Sequence, residues 1–384
     1  PGQAEKLAKL GMKKAVLSLT RPQGEAKLIG PEPVDGDGLA IAPFDSWGHD
    51  HLWWLDRMVR INQPFRERMA LVFHDWFATS NSGVSQQRQM IDQYWTLRAA
   101  VGGTFDDLVL KITRDPAMLQ WLNGGDNNKW SPNENYAREL MELFTLGRGN
   151  YSETDIKEAA RAFTGWGFRL NGDFIFRKPQ HDGGNKTVLG KTGKFDGDDV
   201  LDILLEQRQT ARFIVRKLYK FVVNESVIPD ERINWLADRF YQSGYQVMRL
   251  LEDIARSEWF YAPENVGTKI KSPVELWVGI RRALPIEPDN PEVQLLLQRA
   301  LGQGERVQSP RGHDRRRASL ATHGLSHRPR ERPPPLGRLR RHAGRPGDDA
   351  VLPDHARPAA AGLDRRPGAR AAVAGHRGRF GGRV

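Results

Sequence analysis

Ser131-Pro132-Asn133-Glu134-Asn135-Tyr136-Ala137-Arg138-Glu139-Leu140-Met141-Glu142-Leu143-Phe144-Thr145-Leu146-Gly147 is the stretch on which the fold class turns. Ser131 offers a capping hydroxyl, Pro132 suits a first helical position and Glu134 stands at the third, which together predict a capping box. Tyr136, Ala137, Leu140, Met141 and Phe144 then fall on one side at helical spacing, and Gly147 supplies a stop. A second box follows at once. Ser152 caps and Asp155 sits at the third position of a helix through Ile156, Ala159, Ala160 and Phe163 to Gly165. Two capped helices joined by so short a link predict an antiparallel hairpin or a tight corner.

Upstream, residues 3–18 read as a short helix, and a Pro- and Gly-rich connection leads to Gly48. Leu52, Leu55 and Val59 restore helical spacing, Pro64 suits the start of the next helix, and 86–100 and 104–113 predict two more. Downstream, residues 166–178 read as two short strands around Asn171-Gly172, with Phe174 and Phe176 on one face. The Gly-rich segment 182–198 reads as a loop. Helices are expected again at 198–206, 208–223, 230–243, 247–258, 272–284 and 290–302, and Ser272-Pro273-Val274-Glu275 repeats the Ser-Pro-x-Glu start. No internal repeat is present. The expected fold is mainly α, a multi-helix globular domain with a small β-hairpin insertion and a C-terminal tail.

That tail is a different kind of polypeptide. Residues 304–384 hold 19 Arg and no Lys against 5 Asp and 2 Glu, a formal +12, so of the chain's +11 the first 303 residues carry −1. The tail lacks Ile, Tyr, Trp, Asn and Met, and runs such as Arg315-Arg316-Arg317 and Pro333-Pro334-Pro335 have no periodicity that could bury a face. Either a disordered Arg-rich tail or translation of a GC-rich gene in a shifted frame accounts for it. The expected organisation is therefore 1–48 as N-terminal helix and connection, 49–303 as the helical domain with its hairpin near 166–178, and 304–384 as the disordered or frame-shifted tail. Nucleic-acid binding would rest on this tail alone and is the least supported of the functional classes.

The chain has no cysteine, which excludes thiol catalysis, disulfides and thiolate metal sites. No apolar stretch is long enough to predict a transmembrane segment. No signal peptide is visible in a chain that begins at Pro1. Standard catalytic signatures are also missing: there is no His-Glu-x-x-His, Walker loop, G-x-G-x-x-G or G-x-S-x-G. What remains is a set of candidates. Three of the four histidines before residue 304 immediately precede an aspartate, as His49-Asp50, His74-Asp75 and His181-Asp182. Imidazole with carboxylate suits a divalent metal or an acid–base pair. The catalytic candidates are His74, Glu134, Glu139, Asp155, His181 and Asp182; the metal candidates are His74, Glu139, Glu142, His181 and Asp182. Each has a plainer reading, as a satisfied core histidine or an ion-paired helix surface. Asn123 to Ser131 could hold an anion or simply form an ordered turn, and the tryptophans could stack sugars or fill the core.

Several of these segments resemble one bacterial family, that of domain of unknown function 1800. Phe73-His74-Asp75-Trp76-Phe77-Ala78-Thr79-Ser80, the Ser131–Gly147 stretch, Asp155 through Trp166, His181-Asp182 with Lys186-Thr187-Val188-Leu189-Gly190, and Lys271-Ser272-Pro273-Val274-Glu275-Leu276 carry the similarity, over roughly residues 45–303. The positions carried over as motif residues are His74, Asn133, Glu134, Asn135, Arg138, Glu139, Glu142, Arg161, Gly165, Trp166, His181 and Asp182. The resemblance implies a mostly helical bacterial protein, often exported, with a protein partner encoded by a neighbouring gene. It implies a periplasmic, envelope or extracellular location and no established reaction. It also implies that the family's opening helix region is lacking and that its pattern breaks off near Gln303. Two functional readings stay open: an exported or cell-envelope interaction and assembly protein, or a metal-assisted hydrolase using His and carboxylate residues.

Overall fold

The computed structural model describes residues 2–169, 171–284, 286, 288 and 290–300, and these fall in one compact unit. The arginine-rich tail and the end of the helix expected over 290–302 lie outside the described residues. Helices α1 (Gly2–Leu10) and α2 (Met12–Thr20) replace the single helix expected over 3–18, because Gly11 at φ +71° interrupts the run. There follow α3 (His49–Arg60), α4 (Pro64–Trp76), α5 (Asn81–Val84), α6 (Gln87–Ala100), α7 (Phe105–Thr113) and α8 (Pro116–Trp121). After α9 (Asn135–Glu139) and α10 (Glu153–Ala162) come strands β1 (Trp166–Phe168), β2 (Phe174–Phe176), β3 (Lys186–Val188) and β4 (Lys191–Gly193). Helices α11 (Gly197–Glu206), α12 (Arg208–Val222), α13 (Asp230–Gln242), α14 (Val247–Ala255), α15 (Pro273–Ala283) and α16 (Val293–Ala300) complete the described chain. None of its helices is long and apolar enough to cross a membrane.

The decisive stretch folds as a helix, but not from the cap expected. The box at Ser131 does not form, and α9 begins only at Asn135. Asparagine side chains take the backbone donors that would have opened the helix earlier. Asn128 Oδ1 accepts from the N–H of Trp130 and Ser131, Asn127 Oδ1 from Asn133, and Asn133 Oδ1 from Asn135. Short polar side chains compete with helix hydrogen bonding in this way. The helix then widens into a π-helix over Leu140–Thr145, where Leu146 N–H reaches back five residues to Met141 O at 2.9 Å. The boxes at Ser152–Asp155 and Ser272–Glu275 form as read.

The Asn171-Gly172 turn forms, with Gly172 at φ +88°, and pairs Trp166 with Phe176 and Phe168 with Phe174. A second hairpin occupies the segment read as loop. Lys186 pairs with Gly193 and Val188 with Lys191, around Leu189 and Gly190, both at positive φ. That is the backbone of a type I′ turn, and leucine is a poor residue for it. Its N–H is held by Asp155 Oδ1 at 2.7 Å, which offsets the strain. One large apolar core runs through α4, α6, α7, the π-helix and α10 to α14, with Phe73, Phe77, Phe105, Leu140, Ile156 and Tyr219 fully enclosed. Trp76 and Trp166 belong to it, as the packing reading of the tryptophans requires.

Candidate functional site

The motif residues on α10 and the hairpins converge on one guanidinium. Arg161 donates to both oxygens of Glu158 at 2.9 Å and to Asp182 at 2.7 Å through Nε. The backbone completes the arrangement: Thr187 N–H donates to Glu158, Gly184 N–H to Asp182, and Asp182 N–H to Thr164 Oγ1. Buried Lys186 places its ammonium on the carbonyls of Asp182 and Gly184. The Arg161 hydrogen bonds hold the Asp182 carboxyl down to about 2. Burial opposes ionisation of Asp155, but hydrogen bonds from Ser152 and Leu189 outweigh it and keep its pKa low. Gly165 is obligatory beneath this knot, because at φ +85° a Cβ would sit 2.7 Å from Arg177 O.

The other sequence candidates go to separate places. His181 Nδ1 lies 3.0 Å from Thr164 O, with its ring against Phe176, while Asp182 beside it faces Arg161. Glu134 pairs with Arg138, whose guanidinium also grips both oxygens of Glu153 across to α10. Glu142, on the π-helix, is buried and held by Arg148 and the Tyr151 hydroxyl. His49 accepts Ala42 N–H through Nδ1 and so closes the preceding loop. His74 is buried against the Trp54 ring, and desolvation, helped by nearby His51, pushes it down to about 4. Among the described residues, no three His, Cys, Asp or Glu side chains group to hold a metal. Asn123 and the loop after it form an ordered asparagine-bonded turn.

Helix α4 carries the charges that the sequence reading missed. Glu67 is fully buried and receives Arg57 at 3.2 Å, Arg98 at 2.5 Å and the Tyr94 hydroxyl at 2.7 Å. Near its other end, desolvation raises Asp75, against the pull of Lys217 and Lys269. The same desolvation lowers Lys217 to about 7, and Asp75 and Glu139 partly counter it. Lys217 donates to Leu143 O at 3.0 Å, sharing that carbonyl with Trp76 Nε1, and its ammonium lies over the Trp76 and Phe213 rings. Lys269, lowered to about 8 mainly by burial, lies 3.6 Å from Glu275, which also receives Arg68. Displaced titration of this kind marks functional sites as well as structural ion pairs. The cluster thus gathers two ammonium groups and the carboxylates of Asp75 and Glu275 in poorly hydrated surroundings. The sequence held two parts of the signal, Asp75 in the aromatic motif and Glu275 in the Ser-Pro-Val-Glu box, but nothing marked Lys217.

The family described as "Protein of unknown function (DUF1800)" matches residues 3–333. The match begins well before residue 45, so the N-terminal helices α1 and α2 lie within it. It also runs past Gln303 into the arginine-rich segment, so its end does not coincide with the change in composition at Gly304. No curated protein and no solved structure matches the chain.

Proposed function

This chain belongs to the family of proteins of unknown function DUF1800, and from that premise we propose that it is an interaction and assembly protein of the bacterial cell envelope rather than an enzyme. The observation that carries the reading is the closure of the motif charges on one another. Glu134, Glu142, Glu158 and Asp182 each face an arginine, and Asp155 holds a cap and the Leu189 turn. Such residues fasten helices and hairpins together and leave no free acid–base pair at the knot. Large apolar side chains meanwhile stand exposed along one segment, among them Tyr261, Val266 at 67% and Ile270 at 85%. Exposed apolar surface of this kind suits a protein partner. The envelope location and the partner from a neighbouring gene rest on the family resemblance.

The test is co-expression with the neighbouring gene's product, followed by size-exclusion chromatography with light scattering. A stoichiometric complex is expected, weakened by Val266→Asp and Ile270→Asp. Separate elution at micromolar concentration would count against the reading. Elemental analysis tests the metal-assisted hydrolase alternative. Stoichiometric metal, lost in His181→Ala or His74→Ala, would reverse the proposal.

A further inference from the structure

An open groove of about 460 Å³ lies away from the motif residues, where the end of α2, the first turn of α4, the α6–α7 link and the start of α14 meet. Its lining contains three arginines, Arg21, Arg66 and Arg249, and no carboxylate. Arg21 is already neutralised, because its guanidinium forks onto Glu252 at 2.6 and 2.9 Å, outside the lining. The other two differ. Among the described residues neither Arg66 nor Arg249 has an ion-pair partner, and the Nε of Arg66 is buried without a hydrogen bond. The same wall brings together Thr104 and Gln246, which precede α7 and α14 and form a β-bridge. Neither side chain caps its helix, so both helix dipoles add positive potential; Asp106 and Asp107 in the first turn of α7 oppose part of it.

We propose that this groove binds a small molecule bearing an oxyanion, a phosphoryl or carboxylate group that Arg66 and Arg249 grip together. Guanidinium forks match both oxyanions, and the volume falls in the range of small-molecule sites. The ligand's charge offsets Arg66 and Arg249, and its oxygens accept from their guanidinium groups. The site is independent of the interaction reading above.

Isothermal titration of the full chain with pyrophosphate and, separately, with citrate at matched ionic strength tests this. A saturable single site is expected with at least one of the two, weakened roughly tenfold or more in Arg66→Gln and in Arg249→Gln. Binding of pyrophosphate alone identifies a phosphoryl ligand, and binding of citrate alone a carboxylate. Residues 304–384 are common to all three proteins, so anion binding by their 19 arginines gives the same isotherm in each. Identical isotherms, or no saturable binding at millimolar anion, overturn the proposal. Should Arg66→Gln fail to fold by circular dichroism, the exposed Arg249→Gln decides it.

Discussion

On α10 and the two hairpins, Arg161 meets Glu158 and Asp182 at a half-open surface, and backbone N–H groups reach both carboxylates. Helix α4, by contrast, takes Glu67 into the interior between two arginines and a tyrosine, and leaves Asp75 in a poorly solvated cluster with Lys217 and Lys269. The first arrangement ties neighbouring segments of chain with charges that would be stable in water in any case. The second depends on partners from distant helices, and its charges have lost more hydration. The contrast teaches that the motif charges on α10 and the hairpins fasten nearby segments at the surface, whereas the charges of α4 are gathered from distant helices into the interior.

Removing Glu67 is the strongest way to break the comparison. Glu67→Ala leaves Arg57 and Arg98, 11% and 13% exposed, facing one another without a counter-ion. A loss of about 3–5 kcal/mol is expected in urea denaturation. A loss below about 1 kcal/mol would put this network on a par with surface pairs and dissolve the contrast.

Arg161→Ala should be milder, about 1–3 kcal/mol, since Glu158 and Asp182 keep backbone donors and can rehydrate. Arg161→Lys should restore only part, because an ammonium cannot reproduce the fork. The pH dependence has a definite sign. The folded Asp182 carboxyl is depressed to about 2, so its contribution is complete above the ordinary carboxylate pKa of about 4. It fades as pH falls towards 2. The stability gap between wild type and Arg161→Ala should therefore narrow across that window in acid denaturation, and a constant gap would remove Asp182 from the argument.

The smallest change expected is one of slope. Burial lowers folded Lys217 to about 7, against an ordinary value of about 10.4. Between those values the unfolded chain binds more protons, so this group makes stability rise with pH. Lys217→Met should flatten the rise measured between pH 7 and 10. An unchanged slope would show that its amine is fully solvated.

These two regions were unequally legible. Ser152–Asp155 and Ser272–Glu275 could be read because a capping box is closed within four residues, and Asn171-Gly172 because the turn chemistry is local. The second hairpin was hidden because its turn uses Leu189-Gly190 and depends on Asp155, 34 residues away. The Ser131 box failed for a related reason, since Asn127 and Asn128 reached the same backbone first. Among candidate residues, Arg161 with Asp182 and Glu134 with Arg138 could be suspected from motif and i,i+4 spacing. Glu67 could not, because its partners Arg57, Tyr94 and Arg98 come from α3 and α6 and share no spacing rule with it.

The π-helix at Leu140–Thr145 sets a phase for everything after it. Its one surplus residue swings the following chain by about 100° relative to an uninterrupted α-helix. That rotation leaves Leu143 O outside the helix ladder, where Trp76 and Lys217 both find it. Deleting a residue of the segment ahead of Leu143 would turn that carbonyl by about 100° and carry it away from both donors. The segment is thus a length gauge, tolerant of exchanged side chains on its outer face and intolerant of a changed residue count.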